Sequence, residues 1–164
     1  FSIAGATLVG QHLGANDHQA ATTSGWRALL YAVVSMGSLG VIIVYFAEQL
    51  AGYFLGDQPL TLLYTVQFIY ILGGMTPLLA VEFAIGGALR GAGDTRFPLL
   101  ATILGLIGVR CGLAAFATYN GLPVVWVFAA LIGDFLVKSA MLIWRFQQGK
   151  WKTVMPNVVS SANS

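Results

Sequence analysis

The stretch LRGAGDTRFP, residues 89–98, is a short polar segment between two long apolar runs. Arg90 falls in the last turn of the preceding helix, where a cation complements the helix C-terminus. Gly91 or Gly93 can take the left-handed conformation that ends a helix, and Asp94 or Thr95 can cap the next one. The segment therefore predicts a turn between two helices, with a motif made of Arg90, Gly91, Gly93, Asp94, Thr95 and Arg96.

The composition on either side of this turn is that of a membrane protein. Of the 164 residues, 57% are hydrophobic and only 9% are charged. The mean hydropathy is +0.80. Soluble domains carry about 25% charged residues, so a soluble protein is excluded. The fold class predicted from these values is all-α, a polytopic transmembrane helix bundle.

Four apolar stretches are long enough to cross about 30 Å of hydrocarbon at roughly 1.5 Å per residue. These predicted transmembrane helices are 26–50, 59–90, 97–119 and 123–146. Segment 1–13 reaches only about 20 Å as a helix, so it is predicted to be the end of a truncated transmembrane helix. The chain is accordingly expected to be the C-terminal part of a longer protein. The segments between are a cytoplasmic loop (14–25), a cytoplasmic turn (91–96) and a cytoplasmic tail (147–164).

The basic residues indicate how the helices are oriented. The basic residues lie near one set of helix ends, whereas the connections 48–58 and 120–122 at the other ends contain no lysine or arginine. By the positive-inside rule the basic ends are cytoplasmic, which predicts a multi-pass protein of the plasma (inner) membrane with a cytoplasmic C-terminus. The net charge of +2 follows from this topology and implies a lipid bilayer, not a nucleic acid, as partner. The basic residues in question are Arg27, Arg90, Arg96, Arg145, Lys150 and Lys152.

The second predicted helix contains Gly73, Gly74 and Pro77 near its middle. Proline removes a backbone hydrogen bond, so a kink is predicted near residue 77. Broken helices in transporters expose backbone beside a substrate or ion site. A kink that only improves helix packing is the alternative.

Four charged residues lie inside the apolar stretches, where an isolated charge costs about 3 kcal/mol or more. They are Glu82, Arg110, Asp134 and Lys138. Counted from the cytoplasmic helix ends, Arg110 and Asp134 both lie about 18 to 20 Å deep, and Glu82 and Lys138 about 12 Å deep. Arg110 with Asp134 is one candidate pair of buried charge partners, and Asp134 with Lys138 at i,i+4 is another.

Glu82 and Asp134 are the candidate residues for ion coupling or substrate binding. Glu82 has no basic residue one turn away on its own helix and follows Pro77 by little more than one turn. An acid in this position suits a cation-coupled or proton-coupled carboxylate. The rival interpretation is a purely structural ion pair between Glu82 and Lys138.

The chain resembles the C-terminal lobe of the multidrug and toxic compound extrusion (MATE) family. The resemblance is carried by LRGAGDTRFP (89–98), by TLVGQHLGA (7–15) followed by WRALL (26–30), and by WRFQQGKWK (144–152). It implies a twelve-helix antiporter with two six-helix lobes, of which this chain supplies the end of helix eight through helix twelve. It also implies efflux of cationic or amphipathic organic compounds in exchange for protons or sodium, with the remaining N-terminal part of the same transporter as partner.

The resemblance leaves the coupling ion open. In one branch of the family an acidic cation site takes one carboxylate from helix seven, which precedes this chain, and another from helix ten. Alignment on Leu89-Arg90-Gly91 puts the helix-ten position near Leu79, one turn before Glu82. In the other branch the coupling aspartate lies in the N-terminal lobe. No cofactor is expected other than the coupling ion.

Other functions are weaker expectations. A lipid-linked precursor flippase of the same superfamily would need more basic residues for pyrophosphate than Arg110 and Lys138 provide. A non-catalytic membrane scaffold is a further alternative. An intramembrane enzyme would need a convergent catalytic or metal-binding cluster, and the only histidines, His12 and His18, lie at or beyond a helix end. The chain is therefore predicted to have no catalytic residues and no metal site.

Overall fold

The computed structural model describes residues 2–55 and 59–154, and this part of the chain is all-α, as predicted. No strand occurs within it. A π-helical segment (Leu104–Cys111) joins α5 to α6, and a 3-10 turn (Lys150–Thr153) follows α7. The helices are α1 (Ser2–Gly14), α2 (His18–Tyr45), α3 (Ala47–Leu55), α4 (Pro59–Gly91), α5 (Arg96–Ile103), α6 (Gly112–Tyr119) and α7 (Val124–Gln148).

Within the described residues, three helical stretches are long and apolar enough to cross a membrane: His18–Tyr45, Thr61–Gly91 and Arg96–Tyr119. The predicted span 123–146 corresponds to the 25-residue helix α7, and its passage through the membrane stays a prediction. Large apolar side chains such as Tyr31, Val41 and Phe116 lie on the outside of the bundle, as lipid contact requires.

Helix α2 begins earlier than predicted. The sequence predicted a loop over 14–25, but only Ala15, Asn16 and Asp17 separate α1 from α2. The Asp17 side chain caps α2 by accepting a hydrogen bond from the Ala20 amide at 2.8 Å. The polar residues that suggested a loop are accommodated inside the helix, since Thr22 and Thr23 donate their hydroxyls to carbonyls one turn earlier.

The far end of the first predicted span, 26–50, also differs. Helix α2 ends at Tyr45, and Phe46 interrupts the helix before α3 begins at Ala47. One side of α3 packs inward through Ala47 and Ala51, which are buried. Residues 56–58 of the connection 48–58 lie outside the described residues.

Helix α4 is the centre of the fold and packs against α1, α2 and α7. Ala80, Ala84 and Ala88 lie one turn apart on α4 and are fully buried. Close approach of α1 also depends on two glycines, because a methyl group on Gly87 or Gly91 would overlap the α1 backbone. Small residues at helix spacing therefore let these backbones approach closely.

The turn after α4 has the predicted left-handed glycine but not the predicted side-chain cap. Gly93 adopts the left-handed conformation, with φ +85°. The Asp94 amide donates to the Leu89 carbonyl at 2.9 Å, which closes the end of the helix. Thr95 occupies the N-cap position of α5, although its side chain makes no capping hydrogen bond.

The segment after α7 turns back onto the helix bundle. Gly149 ends α7 in the left-handed conformation, and Trp151 is fully buried. The Trp151 ring stacks on Phe146 with 4.8 Å between ring centroids, and its indole N–H donates to the Phe146 carbonyl at 2.8 Å. Residues 155–164 of the predicted tail lie outside the described residues.

Candidate functional site

A cluster of three buried charges lies between α4 and α7. Lys138 Nζ on α7 is 3.2 Å from Glu82 Oε2 on α4 and 3.2 Å from Asp134 Oδ2 one turn earlier on α7. Of the two predicted partners of Asp134, Arg110 and Lys138, the structure therefore shows Lys138. We call Glu82, Asp134 and Lys138 the charge cluster.

The three side chains differ in how far they are buried. Asp134 is 0% exposed, the Lys138 side chain is 7% exposed and the Glu82 side chain is 19% exposed. Two carboxylates share one ammonium, so the ionised cluster carries one formal negative charge. Charges at such depth are costly unless they are paired, and here the pairing is incomplete.

Hydrogen bonding leaves the carboxylates of the charge cluster poorly satisfied. Among the described residues, Glu82 Oε2 and both carboxylate oxygens of Asp134 have no hydrogen-bond donor. Lys138 Nζ lies at ion-pair distance from two of these oxygens without meeting hydrogen-bond geometry. Its charge also lies 4.1 Å from the centre of the Phe135 ring, a cation–π contact. The arrangement has unused capacity to accept a proton or a donor group.

The π-helical segment packs closely against the charge cluster at Gly105. A methyl group on Gly105 would overlap Asp134 Oδ1 and would lie 2.7 Å from Lys138 Cγ. Only glycine allows the helix to approach these side chains so closely. π-Helical turns are frequent at functional sites. Gly108 and Gly112, which follow Gly105 along the chain, are both exposed.

Arg110 does not pair with Asp134, which corrects one predicted interaction. It is exposed, and no ion pair within the described residues includes it. The face of its helix that meets α7 carries Val109 and Leu113, which lie against Gly133. Counting residues along the helices predicted a similar depth for Arg110 and Asp134, but it did not give the side of the helix on which Arg110 lies.

The predicted kink residues of α4, Gly73, Gly74 and Pro77, lie on the same helix before Glu82. Helix α4 continues through Pro77, which has no amide hydrogen to bond the Gly73 carbonyl. The Thr76 hydroxyl donates to that carbonyl instead. Gly73 packs against α2, because a methyl group there would overlap Val44, whereas Gly74 has open space beside it. A bend at residue 77 stays a prediction.

A further hydrogen bond joins the two helices of the charge cluster. The Ser139 hydroxyl on α7 donates to the Leu78 carbonyl on α4 at 3.1 Å. Leu78 follows Pro77, and Ser139 follows Lys138, so the bond lies one residue from the predicted kink and one residue from the charge cluster. Ser139, Gly105 and Phe135 were not among the residues predicted from the sequence. For Gly105 a signal was available, because the small residues Ala101 and Gly105 lie one helical turn apart.

The turn motif after α4 contains one residue with a partner that the sequence did not predict. Arg145 Nε in the last turn of α7 donates to Asp94 Oδ2 at 2.8 Å. Asp94 is thus an ion-pair residue and not a helix cap, while Arg90 and Arg96 are exposed.

Comparison with known proteins gives a consistent result. A family model described as MatE matches residues 1–116. The chain is 30% identical over 154 residues to a probable multidrug resistance protein NorM of Rhodopseudomonas palustris, covering 90% of this chain and 32% of that protein. It is 28% identical to a probable multidrug resistance protein NorM of Thermotoga maritima, covering 93% of this chain and 33% of the relative.

The chain also matches a third relative, from Pongo abelii. Over 130 residues the chain is 29% identical to multidrug and toxin extrusion protein 1 of Pongo abelii, covering 77% of this chain and 22% of that protein. No solved structure matches the chain. The chain spans about a third of the length of the first two relatives.

Proposed function

The chain belongs to the MatE family, and from this membership we propose that the transporter containing it expels cationic or amphipathic organic compounds by antiport. The names of the relatives, which describe multidrug resistance and multidrug and toxin extrusion, support the extrusion of drugs and toxins. The rest of the transporter, the plasma membrane as its location and a cytoplasmic C-terminus belong to the same proposal.

The observation that carries the proposal is the incomplete neutralisation of the charge cluster. Glu82 and Asp134 share one ammonium and retain a formal negative charge inside an apolar helix bundle. Such a charge is costly in hydrocarbon and favours the uptake of one positive charge. We assign Glu82 as the residue that binds it, since its side chain is the more exposed of the two carboxylates.

Antiport then follows from competition for one carboxylate. An organic cation arriving from the cytoplasm stabilises the ionised form of Glu82, and a coupling ion arriving from outside replaces it. Because each ligand excludes the other, the two are exchanged. We propose the proton as the coupling ion, because a proton binds a single carboxylate oxygen and can reach Glu82 while Lys138 Nζ keeps its place 3.2 Å from Glu82 Oε2 and from Asp134 Oδ2.

The experiment uses the full-length transporter in cells that lack their own efflux pumps. We compare ethidium efflux by the wild type and by Glu82→Gln at matched abundance in the membrane. The glutamine keeps the size of the side chain and removes the charge, so efflux is expected to fall at least tenfold. Normal abundance with normal efflux would exclude the proposed role of Glu82.

The coupling ion is tested separately in proteoliposomes. Ethidium transport by the wild type is expected to follow an imposed pH gradient and not an imposed sodium gradient. Transport driven by sodium alone would exclude the proton assignment.

A further inference from the structure

The ammonium of Lys138 is the one basic group of the described residues that contacts Glu82. We propose that Lys138 is a tethered counter-ion, which the transported organic cation displaces from Glu82 and which Asp134 retains while Glu82 is occupied. This inference rests on the proposed function, because it takes Glu82 to be the residue that binds the organic cation.

The two carboxylates differ in how their contacts with Lys138 are held. Asp134 and Lys138 lie one turn apart on α7, so this helix keeps them together whatever its neighbours do. Glu82 lies on α4, and its contact with Lys138 exists only while α4 and α7 keep their present positions. A change at the interface of α4 and α7 therefore separates Lys138 from Glu82 and leaves its pair with Asp134 intact.

The two carboxylates also differ in accessibility. Asp134 is completely buried, and Gly105 of the π-helical segment lies against its Oδ1 atom. The Glu82 side chain is 19% exposed. A ligand can reach Glu82 without opening the packing around Asp134, so Glu82 is the exchangeable partner and Asp134 is the permanent one.

The bonding of Lys138 favours displacement over a fixed link. Its contacts with Glu82 and Asp134 have ion-pair distance but lack hydrogen-bond geometry. Charge-assisted hydrogen bonds are the strong part of a buried ion pair, and none holds the ammonium on Glu82. The Phe135 ring, 4.1 Å from Nζ on the same helix, remains a contact after Glu82 is lost.

The charges that face the cluster are few. Helix α4 contributes Glu82, and α7 contributes Asp134 and Lys138. The π-helical segment contributes the uncharged Gly105, and its one basic residue, Arg110, is exposed. When an organic cation occupies Glu82, Lys138 neutralises Asp134, and the cluster has no net charge. Lys138 therefore lowers the affinity of the empty site for the organic cation. It also keeps the charge cluster neutral once the cation is bound.

The first test measures binding of tetraphenylphosphonium to the purified full-length transporter. If Lys138 occupies Glu82 in about nine of ten molecules, its removal in Lys138→Met tightens the Kd about tenfold. Arg145→Met is the matched control, because it removes a cation from the same helix at the distant pair with Asp94. Its Kd is expected to be unchanged. An unchanged or weaker Kd in Lys138→Met overturns the inference.

The second test uses the wild type, so that it does not depend on the folding of a variant. Dicyclohexylcarbodiimide activates the Glu82 carboxyl group, and the adjacent Lys138 amine attacks it. A C–N amide bond forms, the activating group leaves as dicyclohexylurea, and the cross-linked peptides have lost one water in total. Saturating tetraphenylphosphonium is expected to suppress this amide, measured by mass spectrometry. Absence of the amide without the cation, or an equal yield with it, overturns the inference.

The two proposals fail in different ways. Normal efflux by an abundant Glu82→Gln variant removes the role of Glu82 and with it both proposals. Loss of efflux in Glu82→Gln, together with an unchanged Kd in Lys138→Met, removes only the displacement of Lys138.

Discussion

Arg145 donates a hydrogen bond from Nε to Asp94 Oδ2 at 2.8 Å and thereby fixes the turn after α4 to the end of α7. The Asp94 side chain is 6% exposed and the Arg145 side chain 20% exposed. The guanidinium also lies 5.0 Å from the centre of the Phe97 ring. One arginine thus connects the turn and the first residues of α5 with α7.

Loss of this ion pair is expected to weaken the end of the bundle where the turn after α4 meets α7. Arg145→Met leaves Asp94 buried and unpaired, which costs about 1 to 3 kcal/mol. The full-length transporter should show a lower melting temperature and a lower folded yield in detergent. Arg27→Met is the control, because Arg27 is exposed and no ion pair of the described residues includes it. Equal stability of the two variants would contradict a structural role for the pair.

Trp151 is expected to anchor the segment that follows α7. Trp151→Ala removes a fully buried ring that stacks on Phe146, and substitutions of this kind cost about 3 to 5 kcal/mol. Trp144→Ala removes the same residue type from an exposed position nearby and should be tolerated. Size-exclusion profiles and melting curves of both variants make the comparison. A smaller loss of stability in Trp151→Ala than in Trp144→Ala would refute the assignment.

Gly105 is expected to be required for the geometry of the charge cluster. Gly105→Ala forces a methyl group into Asp134 and Lys138, so cation binding and efflux should fall strongly. Gly108→Ala and Gly112→Ala add the same methyl group in open space on the same helix and should leave efflux close to wild type. If all three variants behave alike, the close approach at Gly105 has no functional importance.

Cysteine labelling in intact cells tests the orientation. In a Cys111→Ala background, a cysteine at Thr95 should react only from the cytoplasmic side and one at Asn120 only from outside. Both positions are exposed, so a labelling reagent can reach them. A cysteine at position 95 that reacts with an impermeant reagent from outside would reverse the topology.

The apolar and charge patterns predicted much of the fold because they depend on position along a helix. The sequence indicated a helix over 59–90, and α4 extends over Pro59–Gly91. It also placed Glu82 and Lys138 at the same depth, and these two side chains form an ion pair. Depth follows directly from the rise per residue, so it can be counted from the sequence.

The side of a helix on which a residue lies is harder to predict. Arg110 and Asp134 were predicted at one depth but do not face each other, because the residues of that helix that meet α7 are Gly105 and Val109. The π-helical segment that carries Arg110 changes the angle between successive side chains, and nothing in its apolar sequence indicates this. The sequence also did not predict the pairing of Asp94 with Arg145, because an aspartate just before a helix is equally typical of a helix cap.

Exchanging the charges of Glu82 and Lys138 in the full-length transporter tests the central claim most directly. The double variant Glu82→Lys with Lys138→Glu keeps opposite charges facing each other across α4 and α7, but it moves the exposed carboxylate away from α4. If Glu82 binds the transported cation, the double variant should regain the folded yield that the single changes lose, while ethidium efflux stays at least tenfold below wild type. Efflux restored to the wild-type rate together with the folded yield would contradict the claim and leave the pair a structural one.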